Sequence, residues 1–152
     1  MQSARIWFQK PATAITLTQC KEYLQGMGVE VIDTEWRLEG YVVPQLHVTN
    51  PSNFLMQLED DSWVVEEAEE ISRSAPEALR GRLSNCEARL SFGDASDESV
   101  TTTDRGIFVM AGWTSFDPEE PQARELLEAL TRMVDGIFED NTTGTWWVPT
   151  VR

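Results

Sequence analysis

Two apolar periods coexist in this short chain, and together they limit what it can fold into. Cys86, Ala88, Leu90 and Phe92 alternate with Glu87, Arg89 and Ser91, the pattern of a half-buried strand. Ala123, Leu126, Leu127, Leu130, Met133 and Val134 recur at helical spacing instead, giving one buried stripe on an amphipathic helix. A chain with both patterns must pack helices against a sheet. This helix is expected to take Asp117 as N-cap and Pro118 as its first residue. Glu119 and Glu120 then sit at its positive end, and Gly136 stops it.

The same reading extends along the chain. Ala4 to Phe8 forms a first strand, with Arg5 and Trp7 on one face. Thr16 and Gln19 have capping-box spacing ahead of the stripe Leu17, Cys20, Leu24 and Met27, with Gly28 beyond it. Val29 to Leu38 reads as a strand with Ile32, Thr34, Trp36 and Leu38 on one face, and Tyr41 to Val48 as its neighbour. Pro44 inside that neighbour requires an edge or a bulge, since it has no N–H to donate. Phe54 to Leu58 is a short buried strand. Ser62 caps a helix with Val64, Ala68, Ile71 and Ala75 inward, and Glu77 to Leu83 adds a short turn of helix. Gly93 to Arg105 is expected as a polar loop and Ile107 to Trp113 as a central strand. Asn141 to Gly144 is expected to join short strands at Ile137 to Glu139 and Thr145 to Val148. The fold class is therefore α+β, a largely antiparallel mixed sheet of six to seven strands with about three helices.

At 152 residues, a single domain spanning 1–152 is expected. Twenty-six acids against twelve Lys and Arg give a net charge of −14. Spread over a folded surface of about 7,800 Å², that excess gives a patch of about 800 Å² only about −1.4 charges, so clustering matters more than the total. The sign disfavours nucleic acid and anionic membranes as partners. No stretch approaches roughly 18 uninterrupted apolar residues, and the opening residues lack a signal-peptide pattern. A cytoplasmic location is expected, with Cys20 and Cys86 as small reduced hydrophobes on apolar faces.

Few motifs carry chemistry. His47 is the single imidazole, and the two cysteines lie far apart, so no metal-ligand spacing exists. No cofactor, metal or catalytic residue is assigned. Gly26-Met27-Gly28 follows a helix and lacks the third glycine of a dinucleotide turn. Asp94, Asp97 and Glu98 lack the turn glycine and closing glutamate of a calcium loop. Asp33 and Glu35 share a strand face and form an alternative pocket, but neighbouring Arg37 cannot act as a base.

Glu59, Asp60, Asp61, Glu66, Glu67, Glu69 and Glu70 put seven acids into twelve residues without a base. Glu66, Glu69 and Glu70 lie opposite the apolar stripe of their helix, and Trp63 borders them. Trp36 and Trp113 fall on expected core faces, while Trp146 and Trp147 must point to opposite sides of a strand. The expected function is a non-catalytic protein-binding module that engages a basic partner. Its face comprises Glu59, Asp60, Asp61, Trp63, Glu66, Glu67 and Glu70, a design compatible with an immunity or inhibitor protein. The alternatives are a ligand-binding protein or enzyme with a Trp/carboxylate pocket, and a self-associating subunit.

Overall fold

A computed structural model describes residues 2–11, 14–103, 106–114 and 116–149, with backbone alone at 2–3, 38 and 96–114. In chain order the elements are β1 (Gln2–Phe8), α1 (Leu17–Gly26), β2 (Glu30–Leu38), β3 (Tyr41–Asn50), β4 (Phe54–Glu59), α2 (Ser62–Ser72) and α3 (Glu77–Ser84). These are followed by β5 (Ala88–Gly93), β6 (Ala95–Thr103), β7 (Gly106–Thr114), α4 (Pro121–Val134), β8 (Ile137–Asp140) and β9 (Thr145–Trp147). Seven strands form one antiparallel sheet in the order β2-β3-β4-β5-β1-β8-β9, and β6 pairs with β7 in a separate ribbon. The fold is α+β, with four helices among the described residues because Glu77–Ser84 is a full element.

The two sheet faces carry different interiors. Ile6, Phe8, Leu90, Phe92, Phe54, Met56 and Phe138 face α1 and α4, and pack with Cys20, Leu24, Leu126, Leu127 and Leu130. On the other face Trp7 and Ile137 pack with Val64 and Ala68 of α2, Leu83 of α3 and Cys86. Trp147 joins the first cluster and Trp146 the second, as alternation along a strand requires.

Local signals acted where expected in α1. Thr16 caps it with Gln19 in a reciprocal capping box, and Gly28 takes a left-handed φ of 83° just beyond, a conformation that suits glycine. Helix α4 begins later than its sequence implies. Its N-cap is Glu120, whose carboxylate accepts the Gln122 and Ala123 N–H groups, and Pro121 rather than Pro118 is the first residue. Asp117 instead closes the preceding turn by accepting the Glu119 N–H at 2.9 Å. At α2 the cap is Asp61, one residue before Ser62.

Three expectations need correction. Gly93 to Arg105 is not a loop, since Ala95–Thr103 is strand β6; its Val-Thr-rich run suits an extended chain. Ile107 to Trp113 is not a central strand, because β7 pairs with β6 in the ribbon; the Trp113 side chain lies outside the described residues. Trp36 is not core. It is 49% exposed, because β2 ends the sheet and Val31 supplies its inward side chain. Pro44 lies on β3 beyond the stretch Leu46–Val48 that pairs with β4, where a missing N–H is tolerated.

Candidate functional site

The α2-facing side of the central strands holds a row of polar side chains beneath a helix. Arg5 and Trp7 come from β1, Arg89 and Ser91 from β5, Glu59 from β4 and Glu139 from β8. They meet because Arg5 registers with Ser91 and Glu139, and Arg89 with Trp7 and Glu59. All are largely buried: Trp7 is fully enclosed, and Glu59, Arg89, Ser91 and Glu139 each retain under a tenth of their surface.

Burial at this level calls for pairing, and the network supplies most of it; the buried Arg5 Nε makes an ion-pair contact but no hydrogen bond. Arg89 Nε donates to Glu59 Oε1 at 3.0 Å and Nη2 to Oε2 at 3.4 Å, a two-pronged pair. Ser91 Oγ also donates to Glu59 Oε1. Arg89 Nη1 reaches Glu67 of α2 at 2.9 Å, and Arg5 Nη1 reaches the same oxygen at 3.3 Å. Arg5 Nε lies 2.8 Å from Glu139 Oε1, and the Trp7 indole N–H donates to that oxygen at 3.0 Å. The Arg89 guanidinium lies 5.1 Å from the Trp7 ring centroid and 4.8 Å from that of Trp63, where both indoles attract its charge. Two arginines therefore meet three carboxylates, Glu59, Glu67 and Glu139, and α2 is fastened to the sheet through Glu67 and Trp63.

This geometry divides the acidic segment. Glu59 is withdrawn from the expected docking face, because its place at the end of β4 turns it beneath α2 toward Arg89. Glu67 is partly withdrawn, bridging two arginines while its side chain stays 37% exposed. Asp60, Asp61, Glu66, Glu69 and Glu70 remain exposed, and their carboxylates form no ion pair among the described residues. Lys10 approaches Asp60 at the backbone carbonyl, 3.3 Å away. Trp63, Glu66, Glu67 and Glu70 line one open cleft of about 690 Å³, shared with Arg5, Ile71, Arg73 and Ser74.

The alternative carboxylates do not form a pocket together. Asp33 binds Lys21 at 2.7 Å and Glu35 binds the Arg37 Nε at 2.7 Å, both on the surface. Neither lines the cleft of about 420 Å³ beside Trp36, whose floor carries Gln45, Gln57 and Ser91. Asp94 is the carboxylate of that cleft, and it accepts the Phe116 N–H at 2.8 Å. His47 is hydrogen-bonded to Asn53. Among the described residues no group of three or more His, Cys, Asp or Glu is placed to hold a metal ion, and no helix is long and apolar enough to cross a membrane.

Arg5, Arg89, Trp7 and Glu139 were not legible in sequence as one site. Arg5 and Glu139 are 134 positions apart. The available signal was the pairing of a charge and an indole on one strand face, at Arg5 and Trp7. No family model, curated protein or solved structure matches the chain.

Proposed function

We propose that the chain is a protein-binding module whose Trp63 cleft engages a basic partner in a reducing, cytoplasmic setting. The observation that carries the reading is the gathering of Trp63, Glu66, Glu67 and Glu70 around one cleft, with Asp60, Asp61 and Glu69 exposed beside them. An indole beside Glu66 and Glu70, which form no ion pair among the described residues, suits a lysine or arginine side chain, the ring providing contact area and the acids accelerating encounter. Arg89, stacked on Trp63 and bound by Glu67, is an intramolecular instance of the same recognition. The buried Arg89–Glu59 pair holds the platform rigid beneath the cleft, which limits the ordering cost of binding. An inhibitor or immunity protein that neutralises a basic toxin is one class of this design. The reducing setting rests on Cys20 and Cys86, both free and buried in separate clusters on opposite sheet faces.

The test is affinity purification from the native cell with the wild type and the Glu66→Lys/Glu70→Lys variant, both positions being exposed and outside the buried network. A basic protein recovered with the wild type, released by salt and lost with the variant, is the expected result. Equal recovery with both rejects the cleft as the docking site.

A further inference from the structure

We propose that the outer edge of β2 is a second docking surface, which accepts an extended segment of another protein with alternating cationic and apolar residues as an added strand. β2 is nine residues long, ends the sheet and pairs with β3 alone among the described residues. Alternate residues of an antiparallel strand direct both N–H and C=O to the same side, so about four residues of β2 offer both groups outward. The opposite end of the sheet closes differently, with β9 only three residues long.

Long edges are commonly blunted by proline, a bulge within the strand or charged side chains, lysine above all, and acids on an edge turn away like-charged strands while leaving it open to a cationic one. Glu30–Leu38 contains no proline or lysine, and its register shift falls at its first step, Glu30/Val31. What β2 does carry is acid. Asp33 and Glu35 lie on one face of the strand with Arg37; Ile32 and Trp36 lie on the other, 53% and 49% exposed. Among the described residues both carboxylates are held only by surface pairs to Lys21 and Arg37, which cost little to exchange. An incoming strand with a cation at every second position sets its charges beside Asp33 and Glu35, and its apolar side chains beside Ile32 and Trp36.

The charge pattern argues against a second copy of this chain as occupant. Each copy carries −14, so two copies repel as wholes. The surface is also distinct from the Trp63 cleft, since β2 lies three strands from β5 in the sheet, about 14 Å away.

The test titrates ¹⁵N-labelled full-length protein with a capped peptide of four Lys-Val repeats, and with a capped peptide of four Lys-Pro repeats. The second has equal charge and cannot form a strand ladder. The expected result is perturbation confined to residues 30–38 and the Trp36 indole by the Lys-Val peptide, with the outward amides exchanging about tenfold more slowly. Ile32→Lys/Trp36→Lys, at two exposed sites, should weaken that binding about tenfold, while Glu66→Lys/Glu70→Lys leaves it unchanged. Absence of binding, equal binding of the Lys-Pro peptide, or perturbation centred on Trp63 and Glu66 overturns the proposal. Protection of β2 without peptide, accompanied by doubling of the mass in light scattering, assigns the edge to a second copy and also overturns it. Failure of the Trp63 cleft alone is read separately, as equal partner recovery with Glu66→Lys/Glu70→Lys.

Discussion

Glu59 and Arg89 are register partners on β4 and β5, joined by two hydrogen bonds of 3.0 and 3.4 Å with both side chains almost wholly buried. Desolvating two charges costs several kcal/mol, and the second hydrogen bond together with Ser91 and Glu67 offsets it. Removing Arg89 strips the buried Glu59 carboxylate of its guanidinium partner.

Arg89→Leu is therefore expected to destabilise the fold by about 3–5 kcal/mol in urea denaturation. Asp33→Asn, which breaks the surface pair with Lys21, should cost less than about 1 kcal/mol. Similar losses for the two variants would remove the structural role given to the buried network.

Gly136 follows Asp135, whose left-handed φ of 52° ends α4. A Cβ at Gly136 would lie 2.6 Å from the Trp7 carbonyl oxygen, a backbone atom that cannot swing aside. Gly136→Ala should lower stability by about 1–3 kcal/mol through this overpacking. An unchanged denaturation midpoint would contradict the close packing of α4's end on β1.

Burial pushes the Cys20 thiol up to about 11, and burial likewise pushes Cys86 to about 12, against a smaller opposing effect of Arg82. At pH 8 the native protein should react with a disulfide reagent such as DTNB only through opening of the fold. Both thiols should become reactive at the denaturant concentration where the circular-dichroism signal is lost. Rapid labelling of either thiol in native buffer would refute its enclosure.

The neighbouring Asp140 carboxylate favours the protonated form of Glu119 and so raises its pKa, with burial adding to the rise and Arg124 opposing it. For Asp140, burial disfavours the charged form, but hydrogen bonds from Glu119 and the Thr142 and Thr143 N–H groups outweigh it, and the net shift is downward. The stability from a raised Glu119 is complete below its unfolded pKa and lost as pH rises through its folded value. The stability from a lowered Asp140 is present above its unfolded pKa and lost as pH falls through its folded value. Glu119→Gln keeps a donor toward Asp140 at every pH. Its melting temperature should exceed the wild type at pH 8, and the difference should shrink as pH falls through the Glu119 titration. A pH-independent difference would contradict the coupling of Glu119 to Asp140.

Much of the secondary structure was legible because its causes are local. The Thr16–Gln19 capping box and the α4 stripe from Ala123 to Val134 are short-range patterns that fix a helix and its inward face. Alternation likewise placed Ala88, Leu90 and Phe92 together on the core side of β5. The acidic run at 59–70 and its bordering Trp63 were visible as a cluster, and the α2 positions Glu66, Glu69 and Glu70 stay exposed for the reason the helical period gives.

Tertiary structure decided which strand faces became covered. Period-two alternation marks Arg89 and Ser91 as the polar side of β5 and Trp36 as part of an apolar side of β2. The finished fold buries the first two beneath α2 and leaves the third in the open. The reason is that burial of a strand face depends on neighbours far away in sequence: α2 spans the middle of the sheet, where Glu67 and Trp63 find Arg89, while β2 lies at its end. Composition set the amount of acid in this chain and the helical period left Glu66 facing solvent; long-range strand order determined that Glu59 would be sealed inside.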